Sequence, residues 1–442
     1  MHGIIYRWSA ALALLPILGF SDFSFGTQQR VTVLANVAVI DVMTGAIQKD
    51  HHIIVAGNTI RSVVEVLPPS VNGEDVRYID LSGKYAIPGL WNNHSHLGDL
   101  LPDPKNILQN EPLLRAAIRG GRNAMDALRA GFTSLRMVGD RDYIDVAWKE
   151  AFEAGVFVGP RIYPSGAPIS DSASGDWLTE PVSGELEMRE MVRSRVENGA
   201  QLIKLIADRL TREELAAAIA EARSLGVPVV AHAGGDQAAL AVQLGVNSIE
   251  HGNSLSHETI NLMAKQGTFL DPTIVCNLSE EYIDEREKLI AESGYAPHVD
   301  VKAGRVMVSL ADKRTPEQAQ TARTTLTHAV RSGVKIISGS DSNPIDELGI
   351  LEIEQLVFSG LTPLDALRAA TINSAEMMQV NASLGSIESG KLADIVILQS
   401  NPVENISNLR STVKVMKDGL FVVREVSEGT SSFWDLYFLD SE

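Results

Sequence analysis

Between residues 85 and 381 short apolar runs alternate with longer stretches rich in Ala, Leu, Glu and Arg, and this alternation restricts the fold more than any other feature of the chain. The runs are LWNNHSH, FTSLRMV, RIYPSG, LIKLIA, PVVAHAG, SIEHG, FLDPT and KIISGSD. Their length and β-branched content read as strands, and intervening stretches such as REELAAAIAEARSLG read as helices. Several of those stretches end in Gly, the residue that stops a helix in a left-handed conformation. Short apolar strands separated by helices imply a parallel sheet covered on both faces. Eight such units favour an α/β fold closed into a (β/α)8 TIM barrel over an open doubly wound sheet.

The flanks have a different texture. VTVLANVAVID, HHIIVAGNTIRSVVEV and VRYIDLSGKYAIPGL precede the alternating region, and GSIESGKLADIVIL and TVKVMKDGLFVV follow it. Two β-rich flanks can pair into one small domain, so residues 27–84 and 382–426 are expected to form a composite β-sandwich beside the barrel of 85–381. Residues 427–442 make an acidic, aromatic C-terminal tail. At the other end, Arg7 precedes the apolar run SAALALLPILGF, with Ser24 and Gly26 behind it. That order reads residues 1–26 as an export signal cleaved after Gly26, with a periplasmic or secreted product. The run is too short to span a bilayer. Cys276 is the single cysteine, so no disulfide can form within the mature chain. The net charge of −18 opposes nucleic acid and anionic membrane surfaces as partners and leaves a small-molecule substrate. A homo-oligomer is compatible with this composition, but no surface stripe marks an interface.

Four of the ten histidines fall at the C-terminal ends of expected strands, where barrel enzymes build their sites. His94 and His96 close the first strand, and period-two alternation turns both imidazoles the same way. His232, His251 and Asp341 close the fifth, sixth and eighth. Lys204 lies inside the apolar strand LIKLIA, where a lone ammonium is costly to bury. It either pairs with a carboxylate such as Glu250 or carries CO2 as a carbamate able to bridge two metals. Arg136 at the end of strand two could meet a substrate carboxylate or sit in a structural ion pair. Tyr163 near the end of strand three could hydrogen-bond a substrate carbonyl or pack in the core, and Trp91 reads as core. His51, His52, His257 and His328 read as surface residues of a strand or of helices.

The lines IPGLWNNHSH, QLIKLIAD, GVPVVAHAGG, SIEHG and SGSD resemble the amidohydrolase superfamily in its binuclear-metal form. AGFTSLRMVGD and GPRIYPSGAPIS are similar to its prolidase-like and imidazolonepropionase-like branch, which includes Xaa-Pro dipeptidases, Xaa-Arg/Lys carboxypeptidases and ochratoxin-cleaving amidases. The resemblance implies two divalent metal ions, with Zn2+ expected. His94, His96 and Asp341 would hold the more buried ion, His232 and His251 the more exposed one, and carbamylated Lys204 would bridge them. A hydroxide shared by the metals would attack the amide bond of a dipeptide or N-acyl amino acid, with Asp341 as general base and then acid. The same chemistry on a lactone, carbamate, urea or cyclic amide is the second reading, and a non-catalytic binding relative is the third. The chain departs from the branch at three places: Asn92 replaces an Asp, Met137 follows Arg136 where an Asp is usual, and Gly234 replaces a second His.

Overall fold

The computed structural model describes residues 31–71, 76–98, 112–171, 178–279 and 314–422. The expected export signal and C-terminal tail lie outside these described residues. Five strands open the described chain: β1 (Val31–Ile40), β2 (Ile47–Ala56), β3 (Thr59–Val64), β4 (Val76–Asp80) and β5 (Tyr85–Pro88). In β1, Val33 and Ala35 pack into one apolar layer, whereas Leu34, Val37 and Val39 pack into another. The switch of parity between Leu34 and Val37 falls at Asn36, whose φ of 58° marks a bulge in the pairing with β2.

The central region supplies two parallel sheets. One holds β6 (Leu90–Ser95), β7 (Phe132–Met137) and β8 (Arg161–Tyr163). The other comprises β9 (Ile169–Asp171), β10 (Glu180–Val182), β11 (Ile203–Ile206), β12 (Val229–Ala233), β13 (Ser248–His251) and β14 (Phe269–Asp271), in the order β10-β9-β11-β12-β13-β14. Hydrogen bonds join the two sheets at both sides. Gln201 N donates to Pro164 O at 2.8 Å, linking the ends of β11 and β8. The extended segment 335–341 spans the opposite gap. It accepts from Leu270 N at Lys335 O (3.0 Å) and from Asn93 N at Ser338 O (2.9 Å), and donates from Asp341 N to His94 O (2.8 Å). Seven of the eight strands expected from the sequence are therefore found, the eighth is an extended segment with an isolated bridge from Leu270 to Ile336, and the short β9 and β10 are additions that their length concealed.

Helices cover the strands: α1 (Leu113–Ala130), α2 (Ile144–Glu153), α3 (Gly184–Glu197), α4 (Arg212–Ser224), α5 (Gly235–Leu244), α6 (His257–Gln266), α7 (Pro316–Arg331) and α8 (Ile345–Phe358), followed by the short α9 (Pro363–Ala369) and α10 (Ile372–Met377). The glycine stops operate at α1, α5 and α6, where Gly131, Gly245 and Gly267 are left-handed. Reciprocal caps open α4 (Thr211 with Glu214) and α7 (Thr315 with Gln318). The chain then returns through β15 (Ile395–Leu398), β16 (Thr412–Lys417) and β17 (Leu420–Phe421). These strands join β1–β5 in one hydrogen-bonded sheet of eight strands. The two flanks thus share a continuous sheet with apolar layers on both faces. Because β5 pairs with β1 and β15, this sheet extends along the chain to Pro88.

Segment 335–341 approaches β6 so closely that only glycine fits at 339. A Cβ there would lie 2.5 Å from His94 Cβ and 2.6 Å from His94 N. We expect Gly339→Ala to cost about 1–3 kcal/mol through forced backbone displacement, read as a lower midpoint in urea denaturation. An unchanged midpoint would show that the seam tolerates separation.

Candidate active site

The interior of the parallel strands is layered by side-chain alternation. On the floor the Trp91 and Tyr163 rings stack with centroids 5.0 Å apart, against Leu202, Val230 and Ile337. Two residues further along the same strands the layer turns polar: Leu202 gives way to Lys204 and Val230 to His232.

Arg136 occupies the centre of the next layer, fully enclosed. Its Nη2 donates to Glu250 (2.5 Å) and Asp271 (3.0 Å), its Nη1 donates to Ser248 Oγ (3.1 Å), and its Nε donates to the Asn93 carbonyl. With every face of the fork occupied, this side chain cannot reach a substrate. The structure places it in the structural ion pair, not in the substrate contact also entertained from sequence. Tyr163 likewise sits on the floor below the ligand-like residues, and burial raises its phenol well above the ordinary range. The structure gives it the packing role and not the substrate contact.

Above that layer His94, His96, Lys204, His232, His251 and Asp341 converge on one cavity of about 180 Å³. Asp341 Oδ1 lies 3.3 Å from His94 Nε2 and 3.1 Å from His96 Nε2. The His94 and His251 ring centroids are 4.9 Å apart, and those of His251 and His232 are 4.6 Å apart. His94 and His96 are almost fully enclosed, whereas His232 keeps 38% of its side chain exposed. Alternation alone would turn His251 away, because its neighbour Glu250 faces inward. A left-handed φ of 65° at His251 redirects its ring to the cavity, and Asp341 is held at φ 49° in the same manner. Such conformations are strained for non-glycine residues and cluster where function requires them.

Electrostatics indicate what the cavity can hold. Burial pushes His94 well below the usual imidazole range, His251 down to about 3, and His232 downward. These rings are thus neutral nitrogen donors. Burial also opposes ionisation of Asp341, but His94, the hydrogen bond from His96 and His251 outweigh it and hold the carboxyl well below its ordinary value. His96 Nδ1 donates to Gly139 O at 2.6 Å, and its Nε2 faces the Asp341 carboxylate. His94 turns Nδ1 to Glu250 Oε2 at 2.9 Å and Nε2 to Asp341. Imidazole nitrogens and a carboxylate at such distances are held together by positive charge between them, whether a proton or a metal cation. Lys204 Nζ is buried without a hydrogen-bond partner, and burial lowers its pKa. Glu250, the carboxylate considered for it from sequence, is engaged by Arg136, His94 and Ser248 instead. The residues present therefore fit a divalent-metal centre.

Comparison with known proteins agrees with this geometry. Residues 85–422 match the model of the amidohydrolase family. The chain belongs to that family. An ochratoxinase from Aspergillus niger is 27% identical over 365 residues, covering 72% of this chain and 71% of that protein. Among solved structures, a prolidase complexed with N-methylphosphonate-L-proline superposes with a TM-score of 0.75 at 29% identity, covering 89% of this chain and all of that one. A Xaa-Pro dipeptidase with methionine in its active site gives 0.73 at 28% identity, covering 89% and 99%. This amidohydrolase thus falls in the prolidase-like branch and is a hydrolase of C–N bonds.

Several groups support the site in this amidohydrolase, and Thr273 and Asp208 among them escaped the sequence reading. Thr273 Oγ1 meets His251 Nδ1 at 2.7 Å, and Asp208 lies 3.8 Å from His232 Nε2 while accepting from Gly234 N at 3.0 Å. Cys276 Sγ approaches Asp341 Oδ2 at 3.4 Å. Asn92, the departure from the branch pattern, accepts from Ser340 N and His94 N and donates to Ser340 Oγ, tying β6 to 335–341. Asp271 and Thr273 stand in the strand run FLDPT, where an acid between apolar residues was the available signal. Among the described residues no helix is long and apolar enough to cross a membrane. Arg136→Met should strip Glu250 and Asp271 of their common partner and cost about 3–5 kcal/mol. Chemical denaturation checks this, and a loss below about 1 kcal/mol would mean that the two acids are neutral without Arg136.

Proposed function

We propose that this chain is a binuclear amidohydrolase that cleaves the amide bond of dipeptides or N-acyl amino acids. In this reading the parallel strands close as a (β/α)8 barrel around two zinc ions. His94, His96 and Asp341 would hold one, His232 and His251 the other, with a carbamate on Lys204 as a further ligand. The single observation that carries it is the buried, unpartnered Lys204 Nζ facing the imidazoles and Asp341. A lysine amine reacts with CO2 only when neutral, and burial favours that form.

When bound, the cations supply an acidified water and a polarised carbonyl. The remaining steps belong to side chains. Asp341 stays ionised and accepts the proton of the attacking water at Oδ2, the oxygen turned away from His96. It then returns that proton to the leaving nitrogen. Gly139 O, Glu250 and Thr273 fix the orientation of His96, His94 and His251, so the ligand nitrogens point inward before substrate arrives. Pro168, Leu178 and Ile206 wall the cavity and restrict water around the scissile bond. Export to the periplasm or beyond the cell, read from residues 1–26, completes the proposal.

Purified protein loaded with zinc and bicarbonate would be given Xaa-Pro and Xaa-Arg dipeptides, N-acyl aromatic amino acids, lactones and phenylureas, with mass-spectrometric detection. Release of a free amine from an amide is expected, and turnover of lactones or ureas alone would overturn the substrate class. Asp341→Asn should lower kcat by about 10²–10⁴ with the fold retained by circular dichroism. A near-normal kcat would sink the proton-transfer role. Lys204→Ala should lose both activity and metal content, with partial recovery of each in added short-chain carboxylic acids. Full metal content without them would refute the carbamate ligand.

A further inference from the structure

A second cavity, of about 290 Å³, opens at the same end of the strands, lined chiefly by Asn253, Ser254, Asn277, Arg314, Gln318 and Thr321. Its connection to the proposed metal centre is direct along the chain. Asn253 follows His251 by two residues, and its carbonyl accepts from Gly235 N at 3.0 Å. Gly234 lies so close that a Cβ there would stand 2.8 Å from Asn253 O, so no side chain fits between His232 and this wall. On the other side, Asn277 Nδ2 donates at 3.3 Å to the carbonyl of Thr273, the residue whose hydroxyl meets His251.

Among the described residues of the lining the single formal charge is on Arg314, and none is acidic. This is a marked exception in a chain of net charge −18. Arg314 Nε is buried and lacks a hydrogen-bond partner, and among the described residues no carboxylate pairs with the guanidinium. Arg314 as a whole is only part-buried, but a buried guanidinium nitrogen without an acceptor is costly, and the planar fork matches a carboxylate bidentately. Asn253 and Ser254 are exposed to the cavity with amide and hydroxyl groups that can add hydrogen bonds. Gln318 and Thr321 stand three residues apart on one face at the start of α7, where the positive end of the helix also favours an anion.

We propose that this cavity is the subsite for the substrate's carboxylate, with Arg314 as its anchor. It rests on the amide-hydrolase reading and sharpens it: the preferred substrate carries a free carboxylate beyond the scissile bond, and its amidated analogue is disfavoured.

The test compares the N-acetyl derivatives of phenylalanine, proline and arginine, each against its own carboxamide, on the zinc-loaded full chain. Affinity is read by calorimetry, and kcat/KM is read wherever turnover occurs. The acid should be preferred by about tenfold or more for at least one pair, Arg314→Met should erase that preference, and Arg314→Lys should restore part of it. Circular dichroism verifies the fold of both variants. No preference in the unmodified protein, or one that survives in Arg314→Met, overturns the subsite. The second result would place the carboxylate on the metals. An Arg314-dependent binding preference without any amide turnover would keep the subsite and refute the amidase reading, so the two failures are distinct.

Discussion

The arrangement turns on the convergence of Asp341 with the Nε2 atoms of His94 and His96 in an enclosed cavity. Gly139 O takes the proton of His96, and Glu250 faces the other nitrogen of His94, so the nitrogens left over confront a carboxylate. In water such a contact would be dissipated by solvent, but at this burial it requires positive charge between the groups. Much of the surrounding architecture serves to hold that contact. Segment 335–341 is fastened to β6 by Asn93, His94 and Asn92, and glycine at 339 permits the approach.

One layer lower, the charge problem is solved internally. Arg136 satisfies Glu250 and Asp271, and Glu250 extends the chain of contacts to His94. The interior is therefore a ladder in which a fully paired polar layer supports an unpaired one. A half-satisfied network is expensive and is kept where it has a task. Lys204 marks the boundary: its nitrogen has no partner although carboxylates raise its charge affinity from both sides. Strain is concentrated at the same level, with His251, Thr273 and Asp341 all left-handed. The His251 ring and the Asp341 carboxylate reach the cavity because the backbone abandons simple strand alternation there.

Much of this was legible in the residues themselves. The period of short apolar runs reported every strand of the parallel region that carries a site residue, because a strand buried on both faces must be continuously apolar. His94 and His96 could be paired from spacing alone, since residues two apart share a face. His251 could not be oriented that way, and only its backbone dihedral accounts for its position. The sequence left Arg136 and Tyr163 open between substrate contact and structure. The difference lay in partners more than a hundred residues away for Arg136, and in a ring stack with Trp91 for Tyr163. The strands β9 and β10 were too short for periodicity to register.

What the sequence alone determined is the type of element, the ends at which polar residues emerge and the inventory of donors, because these follow from local alternation and side-chain chemistry. Tertiary structure decided which donors meet, which are already engaged by neighbours and which remain free. That distinction separates Arg136 from Arg314, two arginines of identical chemistry. One is surrounded by acids from β13 and β14, and the other faces a cavity with no acid among the described residues that line it. Pairing of this kind depends on the three-dimensional register of distant strands and helices, and no local pattern encodes it.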